Sequence, residues 1–192
     1  MSFDHLWAGW RSQYVESVTE PGAAVLAAPD DTSPASPEDA TSLPVDLGGP
    51  EYCVFCQLLA SGAPDVERNL VFESAHAAVL LNAYPYAPGH LLAMPRRHVA
   101  DLSDLDPNES LELWEAVRAS VAAIQRAYAP NGMNFGANLG RAAGAGIPRH
   151  VHVHILPRWI GDTNFMTTVA ATRVLPEALP DSWAKLRAAW TE

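Results

Sequence analysis

Arg149-His-Val-His-Val-His-Ile-Leu-Pro-Arg-Trp159 sets His150, His152 and His154 in alternation with Val151, Val153 and Ile155. Alternation with β-branched partners reads as a strand, because side chains change face at every residue and positions two apart share a face. In a helix such positions point roughly 200° apart around the axis, so the three imidazoles could not converge. The strand places all three on one side. Near neutral pH, imidazole is the side chain most easily made nucleophile, acid, base or metal ligand.

Directly before this strand, Asn138-Leu-Gly-Arg-Ala-Ala-Gly-Ala-Gly-Ile147 forms a glycine-containing loop. Glycine lets backbone N–H groups approach a ligand closely, and successive amides make a concavity suited to phosphate oxygens. Met133–Leu139 reads as a strand that enters the loop, so the two strands flanking it pair antiparallel. Upstream, Asp106-Pro-Asn-Glu109 is a helix start with an acidic cap, proline at the first position and a glutamate that closes a capping box. Trp114, Val117, Val121, Ile124 and Tyr128 recur at steps of three and four and are expected to form its buried face. Pro130-Asn-Gly132 stops it. Earlier still, Leu70–Glu73 and Ala77–Asn82 read as strands, and Tyr84-Pro-Tyr-Ala-Pro-Gly89 turns the chain back into His90–Met94. Asp181–Trp190 reads as a closing helix with Trp183, Leu186 and Trp190 on one side.

Residues 1–18 are rich in aromatics and read as a docking segment, and residues 19–50 shift to Ala, Pro, Ser, Asp and Gly and read as a flexible acidic linker. The formal net charge of −10 is concentrated there: residues 1–51 hold nine acidic side chains and one basic, leaving 52–192 nearly neutral. That balance argues against a DNA- or RNA-binding surface. No apolar run is long enough to span a bilayer, and a basic-then-apolar leader is missing from the N-terminus, so a cytoplasmic location is expected. In a reducing compartment, Cys53-x-x-Cys56 points to metal or redox chemistry rather than a structural disulfide.

His150-Val-His-Val-His-Ile-Leu156 resembles the His-φ-His-φ-His-φ-φ signature of the histidine triad (HIT) superfamily of nucleotide hydrolases and transferases. The longer run from Gly144-Ala-Gly-Ile147 through Pro157-Arg-Trp-Ile-Gly-Asp-Thr-Asn-Phe-Met166 to Thr172-Arg-Val-Leu-Pro-Glu177 is similar to its bacterial branch of diadenosine tetraphosphate phosphorylases. Leu6-Trp-Ala-Gly-Trp-Arg11, and Asn82 to His90 followed by Pro95-Arg-Arg-His98, add to the resemblance. The implied fold is α+β: a HIT-like antiparallel sheet of about five strands with the 107–128 helix packed on it, spanning residues 51–192, plus N- and C-terminal extensions. Homodimers or homotetramers are implied by the resemblance alone.

By motif position the resemblance makes His152 the nucleophile toward an α-phosphorus, with His154 and His150 completing the triad. It places Asn82 at the ribose hydroxyls and His90 beside the triad, while Asn138 and the amides of Gly144, Gly146 and Ile147 would hold phosphate oxygens. Cys53, Cys56, His98 and His150 match the Cys2His2 set of the zinc-binding subset, and a closed four-ligand zinc is structural. The implied reaction cleaves diadenosine tetraphosphate with inorganic phosphate to ADP and ATP. Where that branch usually carries glutamine after the middle histidine this chain has Val153, as many hydrolytic relatives have valine or leucine, so water stays open as acceptor for dinucleoside polyphosphates or nucleoside phosphoramidates. Arg141, Arg149 and Arg158 are the cations that could receive phosphate. Two other classes stay open: a metal-assisted hydrolase with zinc held by the three histidines, and a non-catalytic nucleotide-binding or zinc-stabilised interaction module.

Overall fold

The computed structural model describes residues 49–162 and 177–191. The docking segment 1–18, nearly all of the 19–50 stretch and residues 163–176 lie outside the described residues.

Five antiparallel strands form one sheet in the order β1-β2-β3-β5-β4: β1 Leu70–Glu73, β2 Ala77–Leu81, β3 Leu91–Pro95, β4 Gly132–Ala137 and β5 Val153–Arg158. Three helices accompany them: α1 Val54–Ala60, α2 Pro107–Tyr128 and α3 Leu179–Ala189. The central strands are buried on both faces, which is why β2 and β3 read as continuous apolar runs. One face, with Val79, Leu81, Leu91, Ala93, Val153 and Ile155, packs against Leu113, Ala116, Val117 and Ile124 of α2. The opposite face, with Ala78, Leu80, Leu92 and Met94, packs against Cys53 and Phe55 at the start of α1. Period-two alternation from Val153 puts His152 and His154 on this α1 side.

The triad stretch departs from the expected uninterrupted strand. Its ladder begins at Val153, and His150 and His152 sit in the chain leading into it. The cause is Pro95. Continuing the register Leu91↔Ile155 and Ala93↔Val153 would set Val151 opposite this proline, which has no N–H to donate. The Val151 N–H goes instead to the Val99 carbonyl at 2.7 Å.

Helix α2 starts as its sequence dictates. The Asp106 carboxylate accepts from the N–H groups of Asn108 and Glu109, and the Glu109 carboxylate accepts from the Asp106 N–H. Its buried stripe is centred on Leu113, Val117, Ser120 and Ile124, however, and Trp114 is 51% exposed, meeting Phe135 of β4 edge-on at 6.3 Å. The sequence periodicity fits two neighbouring stripes, and the sheet selects the one with smaller residues, Ala116, Ser120 and Ala123, that allow close approach. Helix α3 covers the outer strand: the Trp183 indole N–H donates to the Leu70 carbonyl and Arg187 to that of Val71, while Trp190 stacks on Phe72 at 5.0 Å. Among the described residues no helix is long and apolar enough to cross a membrane.

Glu109 joins this cap to the chain after β3, since the Arg97 guanidinium grips both its oxygens at 2.7 Å. That pairing holds the buried carboxyl at about 2, against an ordinary 4.5. Its contribution to stability is therefore full above about pH 4.5 and lost as the pH falls toward 2. Glu109→Gln is expected to cost about 1–2 kcal/mol at neutral pH and to flatten the acid limb of a plot of Tm against pH over that window. An unchanged acid limb would remove Glu109 as its source.

Candidate functional site

Two histidine clusters lie side by side on the α1 face of the sheet. In the first, Cys53 at the N-cap of α1 and Cys56 in its first turn meet His98, three residues past β3, and His150. The His150 Nδ1 lies 3.4 Å from Cys53 Sγ and 3.5 Å from Cys56 Sγ, and the His98 Nδ1 lies 3.4 Å from Cys56 Sγ. One ligand atom from each of the four falls within 4.8 Å of the others. His150 is oriented for coordination: its Nε2–H donates to the Pro95 carbonyl at 2.8 Å, which leaves the Nδ1 lone pair facing the sulfurs. Burial is the main cause that lowers the His150 ring to about 4 and, with the neighbouring Cys53 next, raises the Cys56 thiol to about 12. Two crowded sulfurs beside two imidazole nitrogens suit a cation, because it stabilises thiolates and uses the nitrogen lone pairs. The residues fit a tetrahedral metal ion with two sulfur and two nitrogen ligands.

The second cluster is His152, His154 and His90. The His152 Nδ1–H donates to the carbonyl of His150 at 2.8 Å, so its Nε2 holds a lone pair. His154 is ordered by a chain of partners. The Tyr86 N–H can only donate, and it donates to His90 Nδ1 at 3.1 Å; the proton of this buried ring is therefore on Nε2, which donates to His154 Nδ1 at 3.0 Å. The His154 proton is left on Nε2, as a donor. The His152 and His154 rings have centroids 5.0 Å apart, so an acceptor-bearing and a donor-bearing nitrogen sit on neighbouring rings. Burial lowers all three histidines, His90 to about 3 and His154 to about 4; repulsion from neighbouring rings adds to it at His90 and His154, while the hydrogen bond to the His150 carbonyl opposes it at His152. The rings are neutral near pH 7. Because His150 turns to the cysteines, the three histidines do not converge on one ligand, which removes the geometry needed for a zinc held by the triad.

Other expected residues divide. Asn138 follows β4, and extending the Ala137↔Val153 pair by one residue sets it across from His152. Open space surrounds the place of a Cβ at Gly146. Gly144 departs from its expected role: its amide donates to the Arg141 carbonyl at 2.8 Å and closes a turn at φ +86°, so its contribution is conformational. Asn82 is also engaged within the protein, its Oδ1 accepting from the Tyr84 N–H and its Nδ2 lying 3.1 Å from His90 Nδ1. Arg158 forks onto Asp162 at 2.6 and 2.7 Å. Three contributors escape the sequence reading: Pro95, whose carbonyl orients His150; Tyr86, which orders His90; and Phe55, packed against His150 and His152. Phe55 had one visible signal, its place inside the Cys-x-x-Cys.

A family model described as the HIT domain matches residues 63–159. A Mycobacterium tuberculosis protein named AP-4-A phosphorylase is 40% identical over 126 residues, 66% of this chain and 65% of that protein, so the match spans just under two thirds of the relative. An asymmetrical bis(5'-nucleosyl)-tetraphosphatase from Schizosaccharomyces pombe is 37% identical over 102 residues, covering 53% of this chain and 55% of the relative. Among solved structures, a Zn-bound histidine triad family protein from Mycobacterium smegmatis superposes with a TM-score of 0.59 at 28% identity, covering 73% of this chain and 94% of that one.

Folded-state values of about 3 for His90 and about 4 for His154, below the ordinary 6.5, mean that the unfolded chain takes up protons first on acidification. Stability associated with these rings is full above about pH 6.5 and declines as the pH falls toward 4. Nitrogen NMR of histidine-labelled protein at pH 6 is expected to show both rings neutral with the proton on Nε2. A charged His154 at that pH, or one protonated on Nδ1, would contradict the chain of donors.

Proposed function

Because the chain belongs to the HIT domain family, we propose that it cleaves dinucleoside polyphosphates, diadenosine tetraphosphate foremost, through a nucleotide carried covalently on His152. The observation that carries this reading is the His152 Nδ1–H held on the His150 carbonyl, which leaves Nε2 as an aimed lone pair. In the first step Nε2 attacks the α-phosphorus, a P–N bond forms, and the bond to the bridging oxygen breaks with its electron pair leaving on ATP. His154 Nε2–H donates to the leaving oxygen or to a non-bridging oxygen, and Asn138 with the amides of Gly146 and Ile147 faces the charge on the others. In the second step an oxygen of inorganic phosphate attacks, the P–N bond breaks and its electrons return to Nε2. The products are ADP and ATP. The similarity to a protein named AP-4-A phosphorylase supports phosphate as acceptor. Water is the second reading, and the similarity to a tetraphosphatase favours it.

The metal in this reading is zinc, held by Cys53, Cys56, His98 and His150; the ligand set and the Zn-bound structural relative support it. Zinc there cross-links α1, the segment after β3 and the approach to β5. A homo-oligomer belongs to the same reading, supported by β4, an edge strand that presents Phe135 beside the exposed Trp114.

His152→Asn is expected to lower turnover of diadenosine tetraphosphate at least about a thousandfold while fold and nucleotide binding persist; substantial activity in that variant would sink the nucleophile assignment. With wild-type protein, omitting phosphate should slow the reaction sharply, and the products should be ADP and ATP. AMP and ATP formed at a rate indifferent to phosphate would make the enzyme a hydrolase. Purified without chelators, the protein is expected to hold about one zinc per chain, and chelation or Cys53→Ser should lower its Tm.

A further inference from the structure

Phe55 lies between the two cysteines, in the first turn of α1, and is 5% exposed. Its ring meets two others. It stands 5.5 Å from the His150 ring at an interplanar angle of 90°, and 5.1 Å from the His152 ring at 67°. The same two histidines are joined through the backbone, since the His150 carbonyl accepts the His152 Nδ1–H at 2.8 Å. The His150 ring is in turn fixed at both nitrogens, by Pro95 on one side and by the cysteines on the other.

We propose that Phe55 is a positioning residue for His152 and that, with His150, it makes the Cys53–Cys56 turn a clamp on the nucleophile. The inference rests on the reading of His152 given above. Two routes lead from the four-ligand cluster to that ring. Along the first, a ligand at the cluster immobilises the His150 side chain, and the His150 backbone, two residues before His152, sets where its carbonyl meets Nδ1–H. Along the second, the same ligand fixes both ends of the Cys53–Cys56 turn, and the turn presses Phe55 against the His152 ring. The carbonyl fixes one nitrogen but leaves the ring free to tilt about that hydrogen bond; Phe55 removes the tilt. Nε2 lies across the ring from Nδ1 and is displaced by the tilt, and a small misplacement of a nucleophile is costly in rate. A ligand that stays out of the reaction is thereby connected to it.

Phe55→Leu keeps apolar bulk and removes the ring. In full-length, zinc-loaded protein the variant is expected to retain its zinc, to lower kcat for diadenosine tetraphosphate by about tenfold or more, and to change KM less than about twofold. In histidine-labelled protein without substrate, the His152 Nδ1–H resonance should shift and exchange faster with water. Chelating the wild-type protein should move that resonance in the same direction, and this measurement decides the matter if Phe55→Leu fails to fold or loses zinc. A zinc-replete Phe55→Leu with wild-type kcat and an unmoved resonance overturns the proposal, as does a resonance unmoved by chelation in that fallback case. The resonance is read without turnover, so a clamp that is present while His152→Asn keeps its activity would reject the nucleophile assignment and not the clamp.

Discussion

A neutral imidazole has two nitrogens and one proton, and the chemistry open to this sheet face depends on which nitrogen keeps it. Protein groups decide the matter at each ring. The Pro95 carbonyl takes the His150 Nε2–H and turns a lone pair toward the cysteines; the His150 carbonyl takes the His152 Nδ1–H and turns a lone pair outward; the Tyr86 N–H forces the proton of His90, and through it that of His154, onto Nε2. Three identical side chains spaced two apart thus become a lone pair facing two cysteines, a lone pair facing outward and a hydrogen-bond donor. Burial is what makes the assignment hold, because rings driven well below their ordinary value stay neutral, and each then needs its hydrogen-bond partners to offset the loss of water.

The sheet makes that arrangement affordable by separating its two faces. All of the long helix packs against one face, where Leu113, Val117 and Ile124 meet Val79, Leu91 and Ile155. Among the described residues, the other face carries a seven-residue helix, and the histidines, cysteines and Phe55 gather beneath it. Pro95 links the two regimes. As the last residue of β3 it cannot extend the ladder to Val151, and the carbonyl that the ladder leaves unused orients His150.

Local signals were the most legible in the sequence. The Asp106–Glu109 box fixes a helix start within four residues, and the apolar runs of β2 and β3 can only be central strands. The meeting of Cys53, Cys56, His98 and His150 was legible from ligand type together with the family resemblance, although their sequence separation reaches 97 residues. Trp114 was misread because a helical period defines a stripe and not its centre, which is chosen by the surface opposite. The roles of Phe55 and Tyr86 were not legible for another reason. Phe55 acts through ring contacts made across the fold and Tyr86 through the direction of its backbone N–H, and neither a ring contact nor an amide direction leaves a pattern in a single chain.

The question of phosphate against water is recast by where side chains face. Val153 follows the middle histidine in sequence, but a strand sends successive residues to opposite faces, and Val153 is buried in the core with α2. The residue here therefore bears on the packing under the helix and not on the surface that carries His152 and His154. Arg158 is also remote, four residues along β5 from His154, or roughly 13 Å, with its guanidinium forked onto Asp162. The loop from Asn138 to Arg149 leads directly into the histidine stretch, with an arginine near each end and the turn at Gly140 and Gly144 that shapes it. An anionic acceptor approaching an anionic nucleotidyl group needs positive charge there, whereas water does not. On the proposed reading, the choice of acceptor therefore falls to this loop rather than to the strand that carries the histidines.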